Sequence, residues 1–235
     1  MKLTGVIDRV DVVKKNGKTY FRIIDYKTGR TEFDIEKVKA GLQLQLAIYT
    51  AEAAATLFED GEQPEAAGMY YYRIDDPIID AKASSNAQPD IPDSEGTEKT
   101  MPAGPSPETE KEIMKRLRMD GLTVGEDDII GLHDISLVAE DGSRLPGGSS
   151  QVIYYECKKD GSLAKNSERK VVDTETFDNV KKTASDKAKM LAGDILKGRV
   201  SVDPYEYKSE NACNYCPYVS VCKFDKHLGD RFRAI

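Results

Sequence analysis

Two runs near the start of the chain alternate apolar and polar side chains, the pattern of a β-hairpin with one buried face. Residues 3–13 (LTGVIDRVDVV) and 18–26 (KTYFRIIDY) are the predicted strands. Asn16-Gly17 between them is a strong signal for a two-residue turn. Because such a turn fixes the register of both strands, the sequence predicts which residues lie opposite each other.

The remaining hydrophobic pattern predicts helices and strands in alternation. Apolar residues recur every three or four positions over residues 34–58 and 174–198, which predicts two amphipathic helices, the second capped by Asp173 or Thr174. The other predicted elements are a strand over 66–74, a short helix over 107–119, and two or three strands within 121–172, including QVIYYEC. The side chains of Tyr70, Tyr71 and Tyr72 alternate across the 66–74 strand, where core packing is expected.

These elements predict a single α/β domain in which helices flank a small mixed β-sheet. We expect it to be divided into a core over 1–75, a flexible acidic surface loop over 76–106, an insertion over 107–172, and a C-terminal helix with a cysteine-rich tail over 173–235.

The predicted hairpin register places Asp8 directly opposite Asp25, on the face that also carries Phe21, Ile23 and Lys27. Two opposed carboxylates repel each other, and burial increases the cost of their charge. A divalent cation would reverse the sign of this interaction, since carboxylate oxygens are the ligands that Mg²⁺ or Mn²⁺ prefers. The simpler interpretation is a surface salt bridge between Asp25 and Lys27.

Gln45 and Tyr49 are four residues apart in the predicted 34–58 helix, so they share one face, together with apolar residues. A glutamine amide among apolar side chains requires a hydrogen-bond partner. The pair is either a structural contact at the edge of the core or part of a substrate-binding surface.

Three pieces of sequence, in this order, resemble the PD-(D/E)XK nuclease superfamily in its RecB-like branch. They are Gly5-x-x-Asp8, Asp25-Tyr26-Lys27-Thr28-Gly29, and Gln45-Leu46-x-x-Tyr49. The resemblance implies a restriction-endonuclease-like fold and hydrolysis of DNA phosphodiesters. It further implies that Asp8, Asp25 and the carbonyl of Tyr26 bind the catalytic metal, that Lys27 is the catalytic lysine, and that Gln45 and Tyr49 face the DNA backbone.

Three cysteines lie close together in the tail ACNYCPYVSVCKF, with the spacing of thiolate ligands for zinc or an iron–sulfur cluster: Cys213, Cys216 and Cys222. With the nuclease motifs, this tail resembles the C-terminal region of the AddB family, a component of bacterial ATP-dependent helicase–nucleases. That resemblance implies a [4Fe–4S] cluster, an AddA-type partner, and a role in processing double-strand DNA ends for recombinational repair.

The chain departs from that family pattern in lacking a cysteine before Asp8, where the fourth cluster ligand is expected. The helicase-like domains are also missing, so we expect a fragment of a larger chain, inactive or weakly active alone, whose cluster is incomplete or absent. Cys157, the remaining cysteine, is predicted to be a buried structural thiol rather than a replacement ligand.

The net charge of −7 argues at first against a nucleic-acid ligand, but its distribution changes this conclusion. Residues 1–58 hold 10 Lys and Arg against 7 Asp and Glu, whereas residues 59–130 hold 7 against 18. No secretory signal or membrane span is apparent, so a cytoplasmic protein is expected. Two alternatives remain open: a stand-alone RecB-like iron–sulfur exonuclease of the CRISPR-adaptation type, and a catalytically degenerate DNA-binding module.

Overall fold

A computed structural model describes residues 2–29, 31–58, 61–75, 107–208 and 210–234. The predicted acidic loop over 76–106 lies outside the described residues. The main sheet has five strands in the order β1-β2-β3-β4-β5: β1 Arg9–Lys15, β2 Lys18–Lys27, β3 Glu65–Arg73, β4 Asp120–Val124 and β5 Val171–Val172. Parallel pairs (β2 with β3, β4 with β5) alternate with antiparallel pairs, which confirms the predicted mixed sheet.

A second, small sheet forms near the end of the chain. It has the strand order β7-β6-β8, with β6 Tyr205–Tyr207, β7 Glu210–Asn211 and β8 Arg233–Ala234. Strand β6 pairs with β7 antiparallel and with β8 in parallel. The cysteine-rich segment lies between β7 and β8, so its two ends are held on one sheet.

The helices of the described residues are α1 Ile35–Ala40, α2 Gln45–Thr56, α3 Pro107–Arg116, α4 Asp127–His133, α5 Thr174–Leu196 and α6 Val219–Cys222. The predicted continuous helix over 34–58 is therefore wrong: α1 ends at Ala40 and is capped by Gly41, whose φ of 87° is left-handed and favours glycine. The break leaves Leu42 half exposed rather than in the apolar stripe. No helix in the described ranges has the length and apolar character needed to cross a membrane.

The five-stranded sheet is covered on both faces, because successive residues of a strand point to opposite sides. Phe21 and Ile23 of β2 pack in a core with α1, α2 and α5, and we call this side the helix face. Ile24 of β2 and Tyr70 of β3 pack on the opposite face against residues of the 119–163 region. The predicted insertion therefore supplies the second half of the core.

One sequence prediction in this region is wrong. Residues 151–157 (QVIYYEC) do not form a strand; they make isolated bridges, among them Met119 with Ile153 and Cys157 with Leu163. The predicted helix over 174–198 is confirmed as α5, in which Phe177, Val180 and Ala184 are buried and Ile195 near the end is 64% exposed. Cys157 is buried in the core opposite the helix face, as predicted for a structural thiol.

His133 at the end of α4 is buried within a hydrogen-bonded network. Its Nε2 lies 3.0 Å from the carbonyl oxygen of Ala67, and its Nδ1 lies 3.2 Å from the hydroxyl of Tyr70. Since a carbonyl only accepts hydrogen bonds, Nε2 carries the proton and Nδ1 accepts from Tyr70. Burial and the nearby charge of Arg22 lower the pKa of His133 to about 4.

The depressed pKa of His133 predicts a pH dependence of stability. The unfolded chain binds a proton near pH 6.5 but the folded chain does not, so folding is destabilised as the pH falls from 6.5 toward 4. Between pH 7 and pH 5, we expect the free energy of unfolding to fall by about 2 kcal/mol more than in a His133→Gln variant. Urea unfolding at both pH values measures this, and equal losses would contradict the assignment.

Replacement of Gly121 in β4 by a larger residue is predicted to cause a severe packing defect. A Cβ there would overlap the carbonyl oxygen of Met69 and lie 2.7 Å from the Cα of Tyr70. We expect Gly121→Ala to lower the free energy of unfolding by about 3 kcal/mol or more. The control is Gly193→Ala in α5, where a Cβ meets nothing within 4 Å and which should stabilise by up to about 1 kcal/mol. Equal effects in urea unfolding would disprove the prediction.

Candidate functional site

The observed hairpin has the predicted register, with Lys15 opposite Lys18 and Asp11 opposite Arg22. Its first strand is shorter at the N-terminal end than predicted, because β1 begins at Arg9 rather than at residue 3. Asp8 therefore lies just before the ladder and not in a strand pair with Asp25. Its Oδ2 instead accepts a hydrogen bond of 2.9 Å from the backbone N–H of Tyr26, beside Asp25.

Asp25 lies on the helix face of β2 and is only 3% exposed, an unusual position for a carboxylate. Its Oδ2 is buried, accepts no hydrogen bond within the described structure, and forms an ion pair with Nζ of Lys27. The same Nζ donates a hydrogen bond of 3.1 Å to Oε1 of Gln45. The hairpin and α2 thus bring three predicted site residues into direct contact.

Tyr49 completes this line of contacts on α2. Nε2 of Gln45 donates to the hydroxyl of Tyr49 over 3.3 Å, as expected for residues one helical turn apart. The Tyr49 ring also lies against the backbone of Gly5, where a Cβ would be 2.8 Å from Cε1 of the ring. Gly5 is therefore required for the close approach of the N-terminal segment to α2.

Tyr71 of β3 is a site residue for which the sequence predicted only a place in the core. It pairs with Asp25 on one side and with Asp120 on the other, so all three share the helix face. The Nζ of Lys27 lies 5.4 Å from the centre of the Tyr71 ring. Burial, and then the charges of Asp25 and Asp120, raise the pKa of Tyr71, which keeps its hydroxyl protonated.

The oxygen atoms around Asp25 fit a hard divalent cation. The Oδ2 of Asp25 is a buried anionic oxygen that contacts only the ammonium of Lys27 in the described structure, and Asp8 and the carbonyl of Tyr26 lie at the same end of the hairpin. Within the described ranges, no group of three or more His, Cys, Asp or Glu side chains is arranged to hold a metal. Metal ligation by two carboxylates and one carbonyl therefore stays a prediction.

The cysteine-rich tail folds as short turns. Cys213 and Cys216 lie at a 3₁₀ turn over Ala212–Tyr215, whose start is capped by the side chain of Asn211, and Cys222 ends α6. Burial and the neighbouring thiols of Cys216 and Cys222 raise the pKa of Cys213. The three thiols are not arranged as a metal site in the described structure, so iron–sulfur ligation also stays a prediction.

Asp34 joins this tail to the segment that follows Lys27. Its Oδ1 accepts from the backbone N–H of Glu36 and caps α1, while its Oδ2 accepts from the hydroxyl of Tyr207 over 2.7 Å. Lys208 donates to the same Oδ2 over 3.0 Å. Although burial opposes ionisation, these hydrogen bonds lower the pKa of Asp34. We call the contacts of Asp34 with Tyr207 and Lys208 the tail clasp.

The tail clasp predicts that Asp34→Ser loosens the tail without losing the start of α1, because serine is a good N-cap. We expect amide hydrogen exchange in β6 and β7 to become about tenfold faster, as for the loss of a hydrogen bond to a charged group. Glu36→Ala, which removes only an ion pair with Lys39, is the control. Equal exchange in both variants would show that the clasp does not hold the tail.

The sequence of this chain is similar to those of known proteins. A model of the PD-(D/E)XK nuclease superfamily matches residues 1–223. A protein named as the B subunit of an ATP-dependent helicase/deoxyribonuclease, from Caldanaerobacter subterraneus subsp. tengcongensis, is 39% identical over 236 residues, covering 100% of this chain and 18% of the relative. Proteins of the same name from Thermoanaerobacter sp. strain X514 and Acetivibrio thermocellus are 36% and 37% identical, covering 100% and 95% of this chain.

These relatives are much longer proteins. The chain spans 18% of the first two and 17% of the third. The match therefore concerns one part of a helicase/deoxyribonuclease component, and it includes every residue of the site described above.

Proposed function

Because this chain belongs to the PD-(D/E)XK nuclease superfamily, we propose that it is a metal-dependent DNA nuclease domain of a bacterial helicase–nuclease complex. The observation that supports this most strongly is the contact between Asp25, Lys27 and Gln45 on the helix face. Burying an acid costs several kcal/mol unless its charge is compensated. A buried acid that is paired with a lysine, beside the glutamine of the third motif, is therefore better explained by a catalytic site than by stability of the fold.

The proposed roles follow from the contacts. Asp8, Asp25 and the Tyr26 carbonyl would hold Mg²⁺ or Mn²⁺, which supplies Lewis-acid catalysis when bound. The ammonium of Lys27 orients a water or a phosphate oxygen and stabilises negative charge that develops on the phosphate. Gln45 and Tyr49, linked to each other and to Lys27, position the DNA strand.

The setting of the reaction is proposed from the names of the relatives, each called the B subunit of an ATP-dependent helicase/deoxyribonuclease. We infer a cytoplasmic assembly with an AddA-type helicase–nuclease partner that processes double-strand DNA ends for recombinational repair. The same proposal places this domain at the C-terminal end of the longer protein.

The iron–sulfur cluster is a separate part of the proposal. Cys213, Cys216 and Cys222 offer three thiolates, whereas a [4Fe–4S] cluster takes four, and Cys157 is buried in another part of the core. We therefore expect iron and acid-labile sulfide well below four atoms each per chain after anaerobic purification. A stable, stoichiometric four-iron cluster would contradict this expectation.

The decisive test of the nuclease function compares two aspartates of the same hairpin. Asp25→Asn removes the buried carboxylate, and we expect Mg²⁺-dependent cleavage of linear DNA to fall about a hundredfold or more. Asp11→Asn changes an aspartate on the opposite face, paired with Arg22, and should leave cleavage within about threefold of wild type.

The same experiment separates the alternatives. Equal cleavage by both variants in highly purified samples would remove Asp25 from the mechanism. If the wild-type chain binds DNA but neither it nor the whole complex cleaves, the chain is a DNA-binding module with a degenerate site.

A further inference from the structure

The segment Glu32–Asp34, which follows the motif containing Lys27, is held by side chains rather than by a strand. Gln43 accepts from the N–H of Asp34 over 2.8 Å and donates to the carbonyl of Glu32 over 2.9 Å. Asp120 accepts from the N–H of Phe33 over 2.6 Å, and Lys170 donates to the carbonyl of Phe33 over 2.8 Å. Both backbone polar groups of Phe33 are thus satisfied by one acid–lysine pair.

That pair is well protected from solvent. Nζ of Lys170 lies 2.8 Å from Oδ1 of Asp120, and the two side chains are 16% and 14% exposed. These residues come from β4 and from the residue before β5, far along the sequence from Phe33. We call Asp120 and Lys170 together the Phe33 clamp.

Two aromatic rings, those of Phe33 and Tyr71, connect the Phe33 clamp to Lys27 by contact. Phe33 is buried, and its ring centre lies 6.4 Å from that of Tyr71. The ring of Tyr71, in turn, lies 5.4 Å from Nζ of Lys27. An aromatic face attracts an ammonium group, and this attraction strengthens when water is excluded. The position of the Tyr71 ring therefore contributes to the position of the ammonium of Lys27.

The clamped segment also borders α2. Gln43, which binds the segment on both sides of Phe33, lies two residues before Gln45, the first residue of α2 and a partner of Lys27. A displacement of Phe33 would thus disturb Lys27 from two directions, through Tyr71 and through the start of α2.

We propose that Asp120 and Lys170 are positioning residues for the nuclease reaction: by holding Phe33 against Tyr71, they fix the ammonium of Lys27 beside Asp25. This inference rests on the proposed function for its consequence, but the geometric claim stands on its own. A purely structural ion pair would contribute to stability without affecting the environment of Lys27.

The test uses Lys170→Met and its conservative counterpart Lys170→Arg in the full chain. The readout is the Lys27 Cε–Hε signal in a ¹H–¹³C spectrum, assigned by its loss in Lys27→Arg. Tyr71→Leu gives the position of this signal without the ring. We expect an upfield displacement in wild type that is lost in Lys170→Met and kept in Lys170→Arg.

The matched control is Arg22→Met, which removes an ion pair of similar exposure with Asp11, an aspartate of the same hairpin. It should lower the thermal midpoint as Lys170→Met does, yet leave the Lys27 signal where it is in wild type. If Lys170→Met does not fold, Asp120→Asn, which weakens the clamp but keeps its size, replaces it. An unchanged Lys27 signal in a folded clamp variant would overturn the proposal.

Activity supplies a second, separable readout. In Lys170→Met we expect kcat for DNA cleavage to fall about tenfold or more with KM little changed, because a misplaced catalytic group affects the chemical step. Lys170→Arg should restore kcat to within about threefold. Normal kcat in Lys170→Met, with activity abolished in Asp25→Asn, would reject the positioning role and keep the nuclease function. Absence of cleavage by both the wild-type chain and the whole complex would contradict the nuclease function alone, since the Lys27 signal still decides the geometry.

Discussion

The burial of the Asp25 carboxylate is the constraint on which the site depends. The side chain sits on the helix face in line with Phe21 and Ile23, where an isolated anion would be strongly unfavourable. The ammonium of Lys27, two residues along the same strand, compensates the charge, and Gln45 accepts from that ammonium. The charge of Asp25 is therefore compensated only when β2 alternates as observed, which places Lys27 beside it, and when α2 begins where Gln45 can bind Lys27.

Local sequence patterns predicted this arrangement well because its parts are close in sequence. The Asn16-Gly17 turn alone sets the hairpin register, and period-two alternation then places Asp25 and Lys27 on one face. The predicted pairing of Asp8 with Asp25 in the ladder is wrong for a physical reason. The backbone ladder ends at Arg9, and the Asp8 side chain accepts a hydrogen bond from the Tyr26 N–H instead. An aspartate that hydrogen-bonds a backbone N–H in this way competes with a strand pair, and alternation alone does not reveal which prevails.

The parts that the sequence did not predict depend on contacts between distant segments. Asp120 and Lys170 bind the backbone of Phe33, which lies 87 and 137 residues away. No periodicity or spacing relates these positions, and the pattern of the 107–172 region that contains the pair predicted an insertion. It proves to be half of the core, since Tyr155 and Cys157 pack with Ile24 of the hairpin on the opposite face of the sheet. The break at Gly41 was likewise hidden, because the apolar spacing continues through it.

The tail clasp connects the cysteine-rich tail to the neighbourhood of the site by hydrogen bonds that do not require an iron–sulfur cluster. One carboxylate, Asp34, caps α1 with one oxygen and receives Tyr207 and Lys208 with the other. The backbone N–H of the same residue is bound by Gln43, two residues before Gln45. Because both oxygens belong to one carboxylate, the contacts that hold the tail and the contact that caps α1 share a single side chain. The tail is thus joined to Asp34, in the segment that leads to Gln45, through hydrogen bonds of the protein alone.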